Sequence, residues 1–297
     1  MCAVVIALGR EAPRFVALSC INIVVAANAG GAFSPFGDIT TLMVWQKGVV
    51  AFADFFRLFV PSVANFVVPA LIMHFAVPRG APEARAEPVS LKIGARRIAL
   101  LFAATIATAI GVHSFLHLPA VLGMMTGLGY LQLLDYFLQL RGRRRSAESD
   151  YTFNVFQRIA GVEWDTLLFF YGVMMCVGAL GLLGYLTLTS HLLYGRLGPT
   201  AANVLIGIVS AVLDNIPLMY AVLTMQPDMP LGQWLLITLT AGVGGSLLSI
   251  GSAAGVALMG QARGIYTFTA HLRWTPAVAL GYAAAIAVHM ILNRGTF

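Results

Sequence analysis

Apolar residues fill this chain in long blocks, and polar residues fall between the blocks or in a few short clusters inside them. No stretch alternates with the period of two that a half-buried strand shows. A helix needs roughly 20 apolar residues to cross a bilayer, and the blocks are read against that length. The first, from about Phe15 to Val50, is interrupted by Asn28-Ala-Gly-Gly-Ala-Phe-Ser-Pro-Phe-Gly-Asp38. Paired glycines, a proline and an aspartate disfavour a continuous helix. A plain helix is predicted from about Leu58 to Val77. Two more segments, about Ile98–His113 and Leu118–Leu140, meet at a turn marked by Pro119 and flanking histidines. The stretch Tyr151–Trp164 has apolar residues at helical spacing among polar ones and is expected to lie at the membrane interface. A clean span follows at Leu167–Leu188. Ala201–Met225 carries Asp214-Asn215 at its middle, so its two arms of about 12 residues are each too short to span and predict a re-entrant hairpin. Leu235–Met259 contains a glycine and serine cluster, and the last span is about Pro276–Leu292.

Composition fits the same picture. Of 297 residues, 59% are hydrophobic and 10% charged, against about 25% charged in a soluble domain; the mean hydropathy is +0.85. The expected class is an all-α polytopic membrane protein forming one transport domain over residues 1–297. Residues 1–140 would hold the remainder of a first repeat with linking helices, and 141–297 a second repeat. The net charge of +6 resides in short loops, which argues for membrane topology and against a nucleic-acid partner. Basic residues at 79–97 and 141–145 flank one helical hairpin, so both are expected on the cytoplasmic face. Cys2, Cys20 and Cys176 form no spaced pair and read as packing residues. No metal-ligand cluster of His and Cys is visible. The six histidines sit near apparent span ends and read as interfacial.

Two broken segments repeat. Gly30-Gly31 and Gly37, followed by Asp38, align without a gap with Gly244-Gly245 and Gly251, followed by Ser252, at an offset of 214 residues. Paired, glycine-interrupted hydrophobic segments in the two halves of a chain point to a secondary-transporter binding site. Breaking a helix in the membrane frees backbone groups that are tolerated only inside protein or beside a wet cavity. Freed carbonyls at a helix C-terminus suit a cation, and Asp, Ser and Thr oxygens are hard ligands of the kind small hard cations take. A carboxylate inside an apolar span is costly and marks function, which singles out Asp38 and Asp214. Subtracting the offset from the hairpin tip puts its first-repeat counterpart near position zero, so the first repeat is expected to be incomplete and the chain to begin late in its protein.

The segments Asn28–Thr41, Ser210-Ala-Val-Leu-Asp-Asn-Ile-Pro217 and Gly244-Gly-Ser-Leu-Leu-Ser-Ile-Gly-Ser-Ala-Ala-Gly255 resemble those of the NhaD-type sodium/proton antiporters. The resemblance implies inverted repeats with re-entrant hairpins, a homodimer in lipid, a bacterial inner-membrane location, no resident cofactor, and exchange of Na+ or Li+ for H+. It implies ion-binding roles for Asn28, Asp38, Thr40, Thr41, Ser210, Asp214, Asn215, Ser249 and Ser252, with Asp38 and Asp214 as sodium ligands. An anion or dicarboxylate symporter of the same superfamily would be expected to carry neutral hairpin tips. An intramembrane aspartyl protease would use two aspartates but leave the glycine repeat without a role. A non-transporting structural fragment is the remaining alternative.

Overall fold

The computed structural model describes residues 2–9, 12–77, 95–143, 160–161 and 164–297. Its described elements are helical. They run α1 (Cys2–Leu8), α2 (Pro13–Ala32), α3 (Ile39–Gln46), a 3-10 turn (Phe52–Leu58), α4 (Phe59–His74), α5 (Ala95–Leu116), α6 (Ala120–Arg143), α7 (Trp164–Leu182), α8 (Tyr185–Val209), α9 (Asn215–Met225), α10 (Leu231–Gly244), α11 (Ala253–Gln261), α12 (Phe268–Leu272) and α13 (Thr275–Leu292). Among the described residues, six helical stretches are long and apolar enough to cross a membrane: 13–32, 52–74, 96–116, 164–182, 185–209 and 275–292. The interfacial reading of 151–164 and most of the two basic loops lie outside the described residues.

The chain divides into two compact units, residues 1–85 with 169–297, and residues 86–168. In the smaller unit, α5 and α6 form an antiparallel hairpin. Small residues hold it together: a Cβ on Gly123 would strike the backbone of Ala109, and one on Gly127 would strike the side chain of Thr105. Such close helix contacts are what small residues permit in membranes. The turn between them contains His117, at φ 53°, ahead of Pro119.

In the larger unit the sequence repeat becomes an element repeat. The order α2, break, α3, 3-10 turn, α4 recurs as α10, break, α11, α12, α13 with nearly the same offset throughout. The two long closing helices, α4 and α13, pack on each other; a Cβ on Gly281 would lie 2.5 Å from the Asn65 carbonyl oxygen and 2.7 Å from Pro69 Cδ. Helix α10 is the centre of the unit. Every residue from Gly232 to Gly244 is buried, and it packs against α8, α2 and α13.

The first break begins later than the glycine pattern alone suggests, while the second begins at its glycine pair, with Gly245 as the C-cap of α10. Helix α2 continues through Gly30-Gly31 to Ala32, and the chain leaves helical geometry from Phe33 to Asp38. Glycine is common in membrane helices; here it serves an approach, not a stop. A Cβ on Gly31 would meet Asp38 Cβ at 3.2 Å, and one on Gly245 would meet Ser252 Cβ at the same 3.2 Å. In each copy the chain loops out and folds back onto the helix end it left. Asp38 (φ −144°, ψ 159°) and Ser252 (φ −145°, ψ 149°) then cap the following half-helix in matching extended conformations.

The hairpin is present as well. Helix α8 breaks at Gly198-Pro199, where Gly198 takes φ 77°, and restarts toward Val209. The turn 210–214 then leads into α9 at Asn215. The two arms flanking Asp214 are therefore both short, as the sequence requires.

Candidate functional site: two helix breaks and a hairpin tip

Asp38 caps α3 and is the hub. Its Oδ1 accepts from the Ile39 amide at 2.7 Å, and its Oδ2 accepts from the Thr40 hydroxyl at 2.9 Å. The Asp38 amide donates to Thr41 Oγ1 at 3.2 Å, while the Thr41 hydroxyl donates to the Asp38 carbonyl at 2.8 Å. These bonds follow from the sequence Asp-Ile-Thr-Thr at a helix start, where a side-chain acceptor meets free N–H groups. Thr40 and Thr41 are fully buried. The loop leading to Asp38 is held by an aromatic cluster, with Phe36 and Trp45 rings 5.4 Å apart and Trp45 and Phe52 rings 5.8 Å apart.

Two long-range hydrogen bonds draw the separate motifs together. Asn215 Nδ2, at the hairpin tip, donates to Asp38 Oδ2 at 2.7 Å. Asn28 Nδ2, in the last turns of α2, donates to Ser252 Oγ at 3.0 Å, and Ser252 Oγ also accepts from the Gly255 amide at 3.3 Å. The first break thus touches the hairpin tip, and the first half-helix touches the second break. Asp214 is the chain neighbour of Asn215, so it belongs to the same hairpin tip that bonds the Asp38 carboxylate.

The hairpin tip rests directly on the second break. A Cβ on Gly251 would lie 2.5 Å from the Ala211 carbonyl oxygen and 2.6 Å from that of Ser210. Ser210 uses its hydroxyl to anchor this tip, donating to the Ala241 carbonyl at 2.9 Å; its oxygen is fully buried and engaged with the backbone. Asp214 Oδ2 and Ser249 Oγ are different. Both are buried and have no hydrogen-bond partner among the described residues. The other unpartnered buried side-chain atoms belong to Asn22, Ser62 and Asn65 on α2 and α4. A buried polar atom without a partner is costly, so Asp214 and Ser249 present oxygens to which a cation, a proton or water could bind.

The backbone of the two breaks differs. In the first, a turn within the break closes one carbonyl, the Gly37 amide donating to that of Ser34 at 2.9 Å. In the second, side chains close carbonyls: His271 Nε2 meets the Ser246 carbonyl at 2.9 Å and Thr275 Oγ1 donates to the Leu247 carbonyl at 2.9 Å. A carbonyl only accepts, so Nε2 of His271 carries the proton and Nδ1 accepts from Tyr266 Oη, 2.7 Å away.

This corrects the interfacial reading of two histidines. His271 and His289 are both fully buried. His289 Nε2 bonds the Gly232 carbonyl at 3.0 Å, and its Nδ1 lies 2.9 Å from Asn293 Nδ2. Sequence reading also missed the polar clamp between α8 and α10. Asn203 Nδ2 donates to both the side-chain and main-chain oxygens of Gln233 at 3.0 Å, and Gln233 Nε2 donates to Thr200 Oγ1 at 2.6 Å. Single buried polar residues spaced this far apart leave no periodic signal. Substituting His271→Ala strips the Ser246 carbonyl and the Tyr266 hydroxyl of their partner. The expected cost is about 2–4 kcal/mol, read as a clearly lowered unfolding temperature in detergent, with His271→Asn losing less.

Broken half-helices facing a re-entrant tip, with carboxylate, amide and hydroxyl groups converging between them, define a membrane transporter of the inverted-repeat kind. The family model described as citrate transporter matches residues 1–242. The chain is 58% identical to the Na+/H+ antiporter NhaD of Vibrio cholerae, over all of this chain and 66% of that protein. It is 59% identical to NhaD of Vibrio parahaemolyticus over 96% of the chain and 73% of the relative. Sodium/proton antiporter 1 of Arabidopsis thaliana is 32% identical over 92% of the chain and 48% of its own length. The chain belongs to the NhaD antiporter family. It spans about two thirds of the length of the bacterial relatives it matches. No solved structure matches it.

Proposed function

We propose that the protein exchanges sodium, or lithium, for protons across a bacterial inner membrane, as a multi-pass carrier that is not an enzyme and holds no resident cofactor. The observation that carries this reading is the unequal state of two neighbouring carboxylates. Asp38 has donors on both oxygens. Asp214 keeps one buried oxygen with no partner. Two carboxylates close together in poorly solvated surroundings do not both stay charged without compensation. Either a proton or a cation supplies it, and competition for that one place couples the two flows. Asp38, Thr40, Thr41 and Asn215 shape the first wall of the site; Ser249 and Ser252 shape the second, and Asn28 ties the two together. Ser210 positions the hairpin tip. Rocking of the broken-helix bundle would then expose the site to either side.

The names of the relatives support the same cation chemistry. An anionic substrate fits less well, because both acids would repel it. The working form is a homodimer in lipid, in keeping with α7, which buries none of its residues. The test is sodium-driven proton movement in everted vesicles from cells expressing the protein. Sodium or lithium should collapse a preformed pH gradient, whereas choline and citrate should not. A gradient that responds to citrate and ignores sodium would defeat the reading. Topology follows from the same scheme: Ser146→Cys should resist impermeant maleimide in intact cells and react in everted vesicles, since the basic loops are expected to face the cytoplasm.

A further inference from the structure

The α5–α6 hairpin contains a wedge that the transport site does not use. At one level the two helices almost touch, because Gly123 and Gly127 sit against Ala109 and Thr105. Toward the start of α5 the facing residues become large. Leu100, Leu101 and Ala104 on α5 oppose Tyr130, Leu133 and Leu134 on α6, and the helices enclose an open, apolar groove of about 520 Å³. Arg97, on the first turns of α5, stands at its mouth. From Arg97 to Ala104 the helix rises roughly 10 Å, so the groove has a charge at one end and narrows at the other toward the close approach of the helices at Thr105 and Ala109, near where Thr108 Oγ1 lies 3.4 Å from Tyr130 Oη.

Arg97 has no carboxylate partner among the described residues; the ion pair found there joins Arg57 to Asp54 elsewhere. An arginine at the edge of a span seeks an anion, and a planar guanidinium suits a phosphate. The basic residues at 79–97 and 141–145 are expected on the cytoplasmic side, whose leaflet carries the anionic lipids. A soluble anion would have no use for the leucine-lined slot, and an apolar helix would have none for the arginine.

We propose that this wedge is a binding site for an anionic phospholipid, with the phosphate on Arg97 and one acyl chain lying along Leu100, Leu101, Ala104, Leu133 and Leu134. The lipid fills the space where the helices part and so sets the splay of the hairpin.

Native mass spectrometry of the purified full chain, loaded with equal phosphatidylglycerol and phosphatidylcholine, tests it. The wild type should retain phosphatidylglycerol preferentially. Arg97→Gln should lower that retention about tenfold, the factor one charge-assisted hydrogen bond is worth, without changing phosphatidylcholine binding. Ala104→Phe fills the slot and should abolish the tightly held lipid while leaving Arg97 in place. A photoactivatable phosphatidylglycerol should label the peptides containing residues 97–104 and 130–134. Unchanged lipid preference in both variants would overturn the site. So would an Ala104→Phe variant that loses its dimer and keeps its lipid, since the groove would then hold a second copy of the chain. These readouts measure binding and do not depend on which ion the protein carries.

Discussion

Asp38→Asn is expected to abolish the proposed sodium-driven proton movement while the protein still reaches the membrane. The carboxylate holds three donors from two places in the chain: the Ile39 amide and the Thr40 hydroxyl at the start of α3, and the Asn215 side chain. An asparagine keeps the shape and can keep the cap, because it retains one acceptor oxygen. It loses the negative charge and gains an NH2 group, which points at a donor in either orientation of the amide. A hydrogen bond to a charged group is worth about 1.5–3 kcal/mol, which is roughly 10–150-fold in cation affinity. Loss of the compensating charge adds to that. Vesicle flux should therefore fall to background at millimolar sodium. Flux within a factor of two of wild type would remove Asp38 from the site.

Gly251→Ala should have an equally large effect for a different reason. The added methyl would sit 2.5 Å from the Ala211 carbonyl oxygen and 2.6 Å from that of Ser210. Both are backbone atoms of the hairpin tip, and they cannot swing aside as a flexible side chain can. The tip must lift off the second break, and the Ser210 hydroxyl bond to Ala241 and the Asn215 bond to Asp38 go with it. Overpacking of this kind costs about 1–3 kcal/mol in a well-packed interior, and here it falls on the contact that assembles the site. Gly30→Ala is the control, since a Cβ there meets nothing within 4 Å. Thermal stability and flux should both drop for Gly251→Ala and stay near wild type for Gly30→Ala. Equal behaviour of the two would show that hairpin docking does not matter.

The contrast between these two glycines shows how far sequence carried. The triplets at 30, 31, 37 and 244, 245, 251 marked the two breaks, and Asp214-Asn215 in the middle of an apolar stretch marked the hairpin tip, because helix breakers and buried charges act locally; the break at Gly198-Pro199 that bounds the first arm went unread. The repeat was legible for the same reason. What local pattern could not give was pairing. Asn28 with Ser252 and Asn215 with Asp38 are separated by 224 and 177 residues, and nothing in the spacing says which polar group meets which. Ser210 illustrates the limit: its place near the hairpin tip was evident, its use as an anchor to Ala241 was not. Nor could sequence tell lipid-facing from protein-facing apolar residues, since both are equally hydrophobic in a membrane protein. That is why the complete burial of α10 and of His271 and His289 appears only in three dimensions.

The central claim is that sodium and a proton compete for one place beside Asp214. Proton release on sodium binding measures this directly. Purified protein in weakly buffered detergent solution is titrated with sodium chloride, and the pH change is followed against choline chloride. The account predicts a saturable release of protons with sodium or lithium, absent in Asp214→Asn and in Asp38→Asn. Sodium binding with no proton release, or release that persists unchanged in Asp214→Asn, would contradict it.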